Sequence, residues 1–242
     1  MYMLKILIYT IKIIITATLA LLVSSCGYRK IEGTGNVVTK TRPLTGFNSI
    51  SAEGGLDIVI EQSSQTSVTV EADENLHQHI KTELKGNTLF ISTDADIDNA
   101  EAKKVIVQLP LIKGIASEGG VSVEGKNIIK ADNIDLDGGG GSMIEISVDA
   151  VSVNCESGSG SNIKIHGKTG RLNVDASGGS VISAKGLAAK SVKAEASSGA
   201  RIYVNASKEL VAEASSGSKV LYASTPEKLS KKVSSGGDVA QD

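Results

Sequence analysis

Five polar positions, Asp137, Asn154, Asp175, Glu195 and Glu213, recur about once every nineteen residues. Each follows two inward-facing apolar positions of an alternating stretch. In parallel strands stacked in register, such positions lie about 4.8 Å apart. Like charges that close repel unless a cation or a basic neighbour offsets them. Oxygen ligands suit Ca²⁺ or another cationic ligand. The plainer account is a solvated polar face balanced by Lys190, Lys193 and Lys208. No Asp-x-Asp-x-Asp-Gly loop accompanies the column, so neither a metal nor a cofactor is expected.

Carboxylates can also do acid–base work. A glycosidase needs two of them flanking a cleft, and Asp135 with Asp137, or Asp137 with Asp175, are the pairs to consider. The acids nevertheless form a ladder, and no long loops interrupt the repeats to build a cleft, so no catalytic residue is assigned. His77 and His79 would share a face only on a strand, and two ligands are too few for a metal site. Both are expected on the surface of the turn after Asn75. His166 stands apart from them. Cys155 falls among small inward residues and reads as a buried hydrophobe, not a nucleophile. Lys164, Arg201 and Tyr203 face outward by parity, where an anionic glycan could meet them.

The elements that position these residues repeat. A Gly/Ser phrase recurs through the second half, and its last glycine falls at Gly119, Gly141, Gly160, Gly179, Gly199, Gly217 and Gly236. The successive spacings are 22, 19, 19, 20, 18 and 19. A fixed period near twenty marks a solenoid, in which one supersecondary unit stacks on the next. Each repeat holds two alternating stretches. The one after the turn supplies Ile144/Ile146, Ile163/Ile165, Ile182/Ala184, Ile202/Val204 and Val220/Tyr222 to one face. The one before the next turn supplies Ile134/Leu136, Val151/Val153, Leu172/Val174, Val192/Ala194 and Leu210/Ala212. Small residues follow at the corner, namely Gly138, Cys155, Ala176, Ala196 and Ala214. Such ladders fill a narrow interior without large aromatic side chains, and the chain has no Trp. Glycine supplies the left-handed corner conformation. The column Ser142, Ser161, Ser180, Ala200 and Ser218 predicts stacked hydroxyls bonding along the axis.

The N-terminus reads as a targeting segment. Lys5 and Lys12 flank the start of an apolar run, Ile13 to Val23, that ends in Val23-Ser24-Ser25-Cys26-Gly27. This resembles a lipoprotein signal cleaved before a cysteine. Diacylation of Cys26 would supply the chains that stable membrane attachment requires, and the lack of Asp after Cys26 fits outer-membrane sorting. With Cys26 lipidated, Cys155 is the remaining thiol, so no intramolecular disulfide is expected. A net charge of -2 leaves no basic field for nucleic acid.

Residues 33–110 read as all-β without the short period. Candidate strands are 35–40, 47–52, 56–62, 67–72, 80–84, 88–93 and 104–109, with a hairpin turn at Lys85-Gly86-Asn87. The unit Phe47–Ile58 echoes Ile112–Val123, each carrying Glu-Gly-Gly between two strands. One continuous sheet system is therefore expected.

Phe47-Asn48-Ser49-Ile50, Gly54–Gln62, Val68–Leu76 and Gly86–Ile91 together resemble the head GIN domain family, described as auto-transporter adhesins of Bacteroidetes-type bacteria. The resemblance runs over roughly 37–225. It implies a right-handed parallel β-helix on a secreted or lipid-anchored protein and supplies no catalytic residues. The organisation expected is a signal peptide over 1–25, a linker over 26–34, an N-terminal β region over 35–110 and β-solenoid repeats over 111–242. The function expected is a non-catalytic, adhesin-like binding module of the envelope. It would attach to the membrane through Cys26 and take a protein or glycan ligand. The alternatives are a carbohydrate-active enzyme or a purely structural envelope lipoprotein. The last rung, near Val233 to Asp242, has no visible cap. Either a cap donated from elsewhere in the chain or self-association at that end is expected.

Overall fold

Alternation of β-branched and small residues with polar ones makes almost every segment a strand. The structure, a computed structural model, describes residues 30–242. The signal segment 1–25 and the lipidation expected at Cys26 lie outside the described residues. The N-terminal part contains β1 (Lys30–Ile31), β2 (Val37–Arg42), β3 (Ser49–Glu53), β4 (Asp57–Gln62) and β5 (Ser67–Asp73). A 3-10 turn, Glu74–Leu76, leads to β6 (Ile80–Lys85), β7 (Thr88–Thr93), β8 (Asp96–Ile97) and β9 (Lys103–Leu109). The repeats begin with β10 (Gly114–Glu118), β11 (Ser122–Gly138), β12 (Met143–Ser157) and β13 (Asn162–Ala176). They continue through β14 (Val181–Ser183), β15 (Leu187–Ala196), β16 (Arg201–Val204) and β17 (Ala206–Ala214). The last are β18 (Lys219–Tyr222), β19 (Lys228–Val233) and β20 (Asp238–Gln241).

The repeats form a parallel β-solenoid, as the period predicts. Each rung has three sides where the sequence displays two stretches. β11 and β12 pair over 122–124, shift register, pair again over 128–131, and after a skipped residue continue over 133–138. The skipped position is a corner, and it carries Asp132, Val151, Gly170 and Lys190 in successive rungs. The echoed units stack directly, β3 on β10 and β4 on β11, so the two halves share one sheet system. Antiparallel pairing of β2 with β5, β5 with β9 and β6 with β7 ends the stack at the N-terminal side. That is the capping a solenoid needs to protect its first rung. At the other side β19 pairs with β17 alone and β20 with β18 alone, and no described element covers them.

Apolar ladders run the length of the interior. On the first side Val105, Ile58, Val123, Ile144, Ile163, Ile182, Ile202, Val220 and Val239 succeed one another, all buried. Burying each such side chain stabilises the fold by roughly 1.5–3 kcal/mol before entropy is counted. One rung departs from expectation. Val151 is 64% exposed at the corner, and the inward pair of the third side is Val153 and Cys155, with Ser157 at the small corner position. The alternation Val151-Ser152-Val153-Asn154-Cys155 has the right parity in either register. The bend at Val151 settles it by turning Ser152 and Val153 inward one after the other.

The glycine phrase forms the turn from the third side back to the first. Ser159, Ser198, Ser216 and Ser235 have φ of 48–52°, and the glycine after each has φ of 72–75°. Two successive positive φ values define a type I′ turn, for which glycine is the least costly residue. The first repeat is shifted by one, since Ser122 pairs with Met143 and so Gly120, not Gly119, is the equivalent of Gly141. The serine column bonds along the axis as expected, mainly to backbone. Ser142, Ser161, Ser180 and Ser218 hydroxyls donate to the carbonyls of Ser117, Gly138, Ser157 and Ala196 at 2.7–3.0 Å.

Candidate ligand-facing sides

The register of the third side assembles an acidic column without the Asn154 interruption that the sequence predicts. Asp137, Glu156, Asp175, Glu195 and Glu213 are successive parallel partners, followed by Lys232. Glu156 replaces Asn154, because the rung is set two residues further along than its alternation implies. Asn154 sits in the neighbouring column with Asp135, Asn173 and Lys193. There its amide donates to Asp135 at 2.7 Å and accepts from the Asn173 amide at 2.8 Å. An amide ladder of this kind ties successive rungs together beside the carboxylates.

The carboxylates are not equally neutralised. Glu213 pairs with Lys232 at 2.8 Å, and Glu195 pairs with Lys193. Among the described residues Asp137, Glu156 and Asp175 have no such ion pair. Burial raises the Asp175 carboxyl above the usual carboxylate range, the Glu195 charge adds to this, and Lys193 opposes it. Two shallow grooves of about 260 and 440 Å³ run along this side. The first is lined by Asn173, Asp175 and Glu195, the second by Asp135 and Asp137, and Asn154 and Glu156 line both. Asp137 and Asp175 point the same way from one flat face, two rungs apart. That is not the opposed arrangement across a cleft that glycoside hydrolysis requires. The described residues hold no group of His, Cys, Asp or Glu suited to a metal ion.

On the first side, Lys164 and Tyr203 share one outward column, with Ser183 between them, while Arg201 belongs to the adjoining one. Lys164 is held by Glu145 at 2.8 Å, and its lysine keeps that carboxyl below the usual range. Its charge is thus already partly satisfied within the protein. Beneath the third side Cys155 is buried, and desolvation, with Asp137 and Glu156 adding to it, pushes its thiol far up. A thiol kept protonated is a poor nucleophile. His77 is also buried, contrary to expectation. Its Nε2 lies 2.8 Å from the Val38 carbonyl beneath β2, and His79 bonds Asp94 at 2.6 Å. His77 could not have been assigned from its neighbours in sequence, because β2 covers it from 39 residues away.

A long three-sided parallel stack with type I′ corners and an antiparallel cap can be compared with known proteins. A family described as "Putative auto-transporter adhesin, head GIN domain" matches residues 46–226. The chain belongs to this family. Among solved structures, a "putative adhesin" from Bacteroides fragilis is 24% identical, with a TM-score of 0.81 over 88% of this chain and 100% of that one. One from Parabacteroides merdae is 18% identical, with a TM-score of 0.69 over 88% and 99% of the two chains. A "putative lipid binding protein" from Parabacteroides distasonis is 20% identical, with a TM-score of 0.68 over 88% and 100%. At these identities the likeness is one of fold. No curated protein matches the sequence. The head GIN assignment brings an adhesin-type description and an expected place at the envelope or cell surface. Among the described residues no helix is long and apolar enough to cross a membrane.

Proposed function

We propose that this protein is a non-catalytic envelope lipoprotein, anchored through Cys26 in the outer membrane, that binds a protein or glycan surface along its third side. The observation that carries the reading is the column Asp137, Glu156 and Asp175. These carboxylates stand in succession at about 4.8 Å without an ion-pair partner among the described residues. Their mutual repulsion is a cost to folding, and a cationic partner surface laid along the column would relieve it. The flat grooves beside it suit an extended contact rather than an enclosed small molecule. Lys164, Arg201 and Tyr203 would form a second, weaker contact on the first side. A lipid on Cys26 would leave residues 27–29 before β1 begins at Lys30, and so short a tether would keep β1 near the membrane.

The test is binding of the full chain, displayed on cells, to panels of immobilised matrix proteins and glycans. For a binding partner found this way, the triple variant Asp137→Asn, Glu156→Gln, Asp175→Asn should lose about tenfold or more in affinity. The wild-type interaction should weaken as salt rises. Unchanged binding by the triple variant would overturn the assignment of this side. Turnover of an acidic polysaccharide that disappears in Asp137→Ala would replace the reading with a carbohydrate-active enzyme.

A further inference from the structure

The inward column of the third side runs Leu89, Ile50, Ile115, Leu136, Cys155, Val174, Ala194 and Ala212, and then ends in Lys231. Every earlier member is apolar and buried. Lys231, itself exposed, lies across the open end of the core. Its ammonium donates to the Tyr222 hydroxyl and to the Val239 carbonyl, each at 3.0 Å, and lies 4.8 Å from the centre of the Tyr222 ring. Tyr222 itself is buried, so ring and ammonium together close the last rung.

That rung is otherwise a ready template. β19 and β20 each leave one edge unpaired, and Leu229 and Val233, in register with buried Leu210 and Ala214, are 37% and 49% exposed. An open parallel edge over an apolar core fits one kind of partner best, namely another rung of the same shape. We propose that the β19–β20 end is a latent surface for a second copy of this chain, and that Lys231 holds it shut. A copy stacked on this end would strip water from the Lys231 ammonium and bring the partner's equivalent charge towards it. Among the described residues no carboxylate pairs with Lys231. Glu213 faces outward and is taken by Lys232, and Asp238 faces outward opposite Lys219. An unpaired ammonium trapped between rungs is costly enough to prevent docking, and an inward charge on an edge strand is a known guard against strand addition. The self-association expected at this end is therefore suppressed in the native sequence.

The experiment compares the full chain in mild detergent with Lys231→Met, Lys231→Ala and Lys228→Ala, using sedimentation velocity and hydrogen exchange. Lys231→Ala copies the residue of the preceding rung, which guards against a misfolded Met variant. Lys228→Ala removes the same charge from the exposed side of β19. The wild type and Lys228→Ala should sediment as monomers. Both Lys231 variants should dimerise, and their β19 amides should exchange roughly tenfold more slowly. Monomeric Lys231 variants with native exchange in β11–β13 would overturn the proposal. So would a wild-type dimer protected at β19, or a Lys228→Ala dimer.

Discussion

Glu156 stands directly beside Asp175 in the parallel register of β12 and β13, and neither belongs to an ion pair among the described residues. The next carboxylate, Glu195, adds its charge to the burial that already raises the Asp175 carboxyl. A carboxyl raised by folding contributes stability only while protonated, and that contribution is lost as pH rises through its folded pKa. At neutral pH the stack is therefore under electrostatic strain. Asp175→Asn should raise neutral-pH stability by about 0.5 kcal/mol, a figure kept small because the site is largely open to solvent. The gain should shrink as the pH falls through the raised folded pKa and be gone below the ordinary Asp value of about 3.9, where the carboxyl is neutral in both states. Thermal melts of both proteins at pH 7 and pH 3.5 check this. A variant that is less stable at pH 7 would show that Asp175 is held by attractive contacts instead. If the variant is more stable yet binds its partner less well, the acids are kept for recognition at a cost to the fold.

Ala200 interrupts the serine column, and its rung lacks a bond that the others have. The Ala176 carbonyl accepts only the Ser197 amide, whereas the equivalent Ala196 carbonyl accepts both the Ser215 amide and the Ser218 hydroxyl at 2.7 Å. Ser218 and Ser180 fit the same pocket fully buried, so the added oxygen has precedent on either side. Ala200→Ser should stabilise the protein by about 1 kcal/mol, seen as a rise of roughly 2–4 °C in Tm. A fall in Tm would mean that this corner is packed more tightly than its neighbours.

The period, the inward ladders of the first side and most N-terminal strands were legible in sequence because turn chemistry and parity are local. The third side was harder. Gly138, Ala176, Ala196 and Ala214 advertise a small corner, but the equivalent Ser157 is polar and lies next to a second Ser-Gly phrase, which drew the corner back to Cys155. That two-residue slip put Asn154 in the acidic column and left Glu156 out. The second side escaped notice because it is short, with only Ile129/Ala131, Val148/Ala150 or Leu187/Ala189 to mark it. Lys231 shows the same limit from another direction. On its own strand it is one lysine among three, and only the Ala212 above it and the Tyr222 across from it give it a distinct role.

Asp73 joins the cap to the rest of the molecule. Its side chain is buried at the end of β5 and accepts the amides of Gly35 at 2.8 Å and Ala102 at 3.0 Å, tying the segment before β2 to the approach to β9. Gly33 must be glycine for this to occur, since a Cβ there would fall 2.1 Å from the carboxylate oxygen. The amides, Gly35 first and Ala102 next, hold the Asp73 carboxyl below the usual range against the opposing effect of burial. A carboxyl lowered by folding contributes stability above its unfolded pKa, and the contribution is lost as pH falls through the folded value. Asp73→Asn keeps the shape but turns an NH₂ group towards one of the two amides, leaving a donor unsatisfied. The variant should melt several degrees lower at pH 7, with faster hydrogen exchange at Gly35 and Ala102 while β12 and β13 stay protected. The difference from wild type should begin to narrow near pH 4, where the unfolded carboxyl takes up its proton, and should close as the pH falls through the lowered folded pKa. Equal melting at pH 7, or a gap that widens in acid, would mean that the cap is held by its apolar contacts and not by this carboxylate.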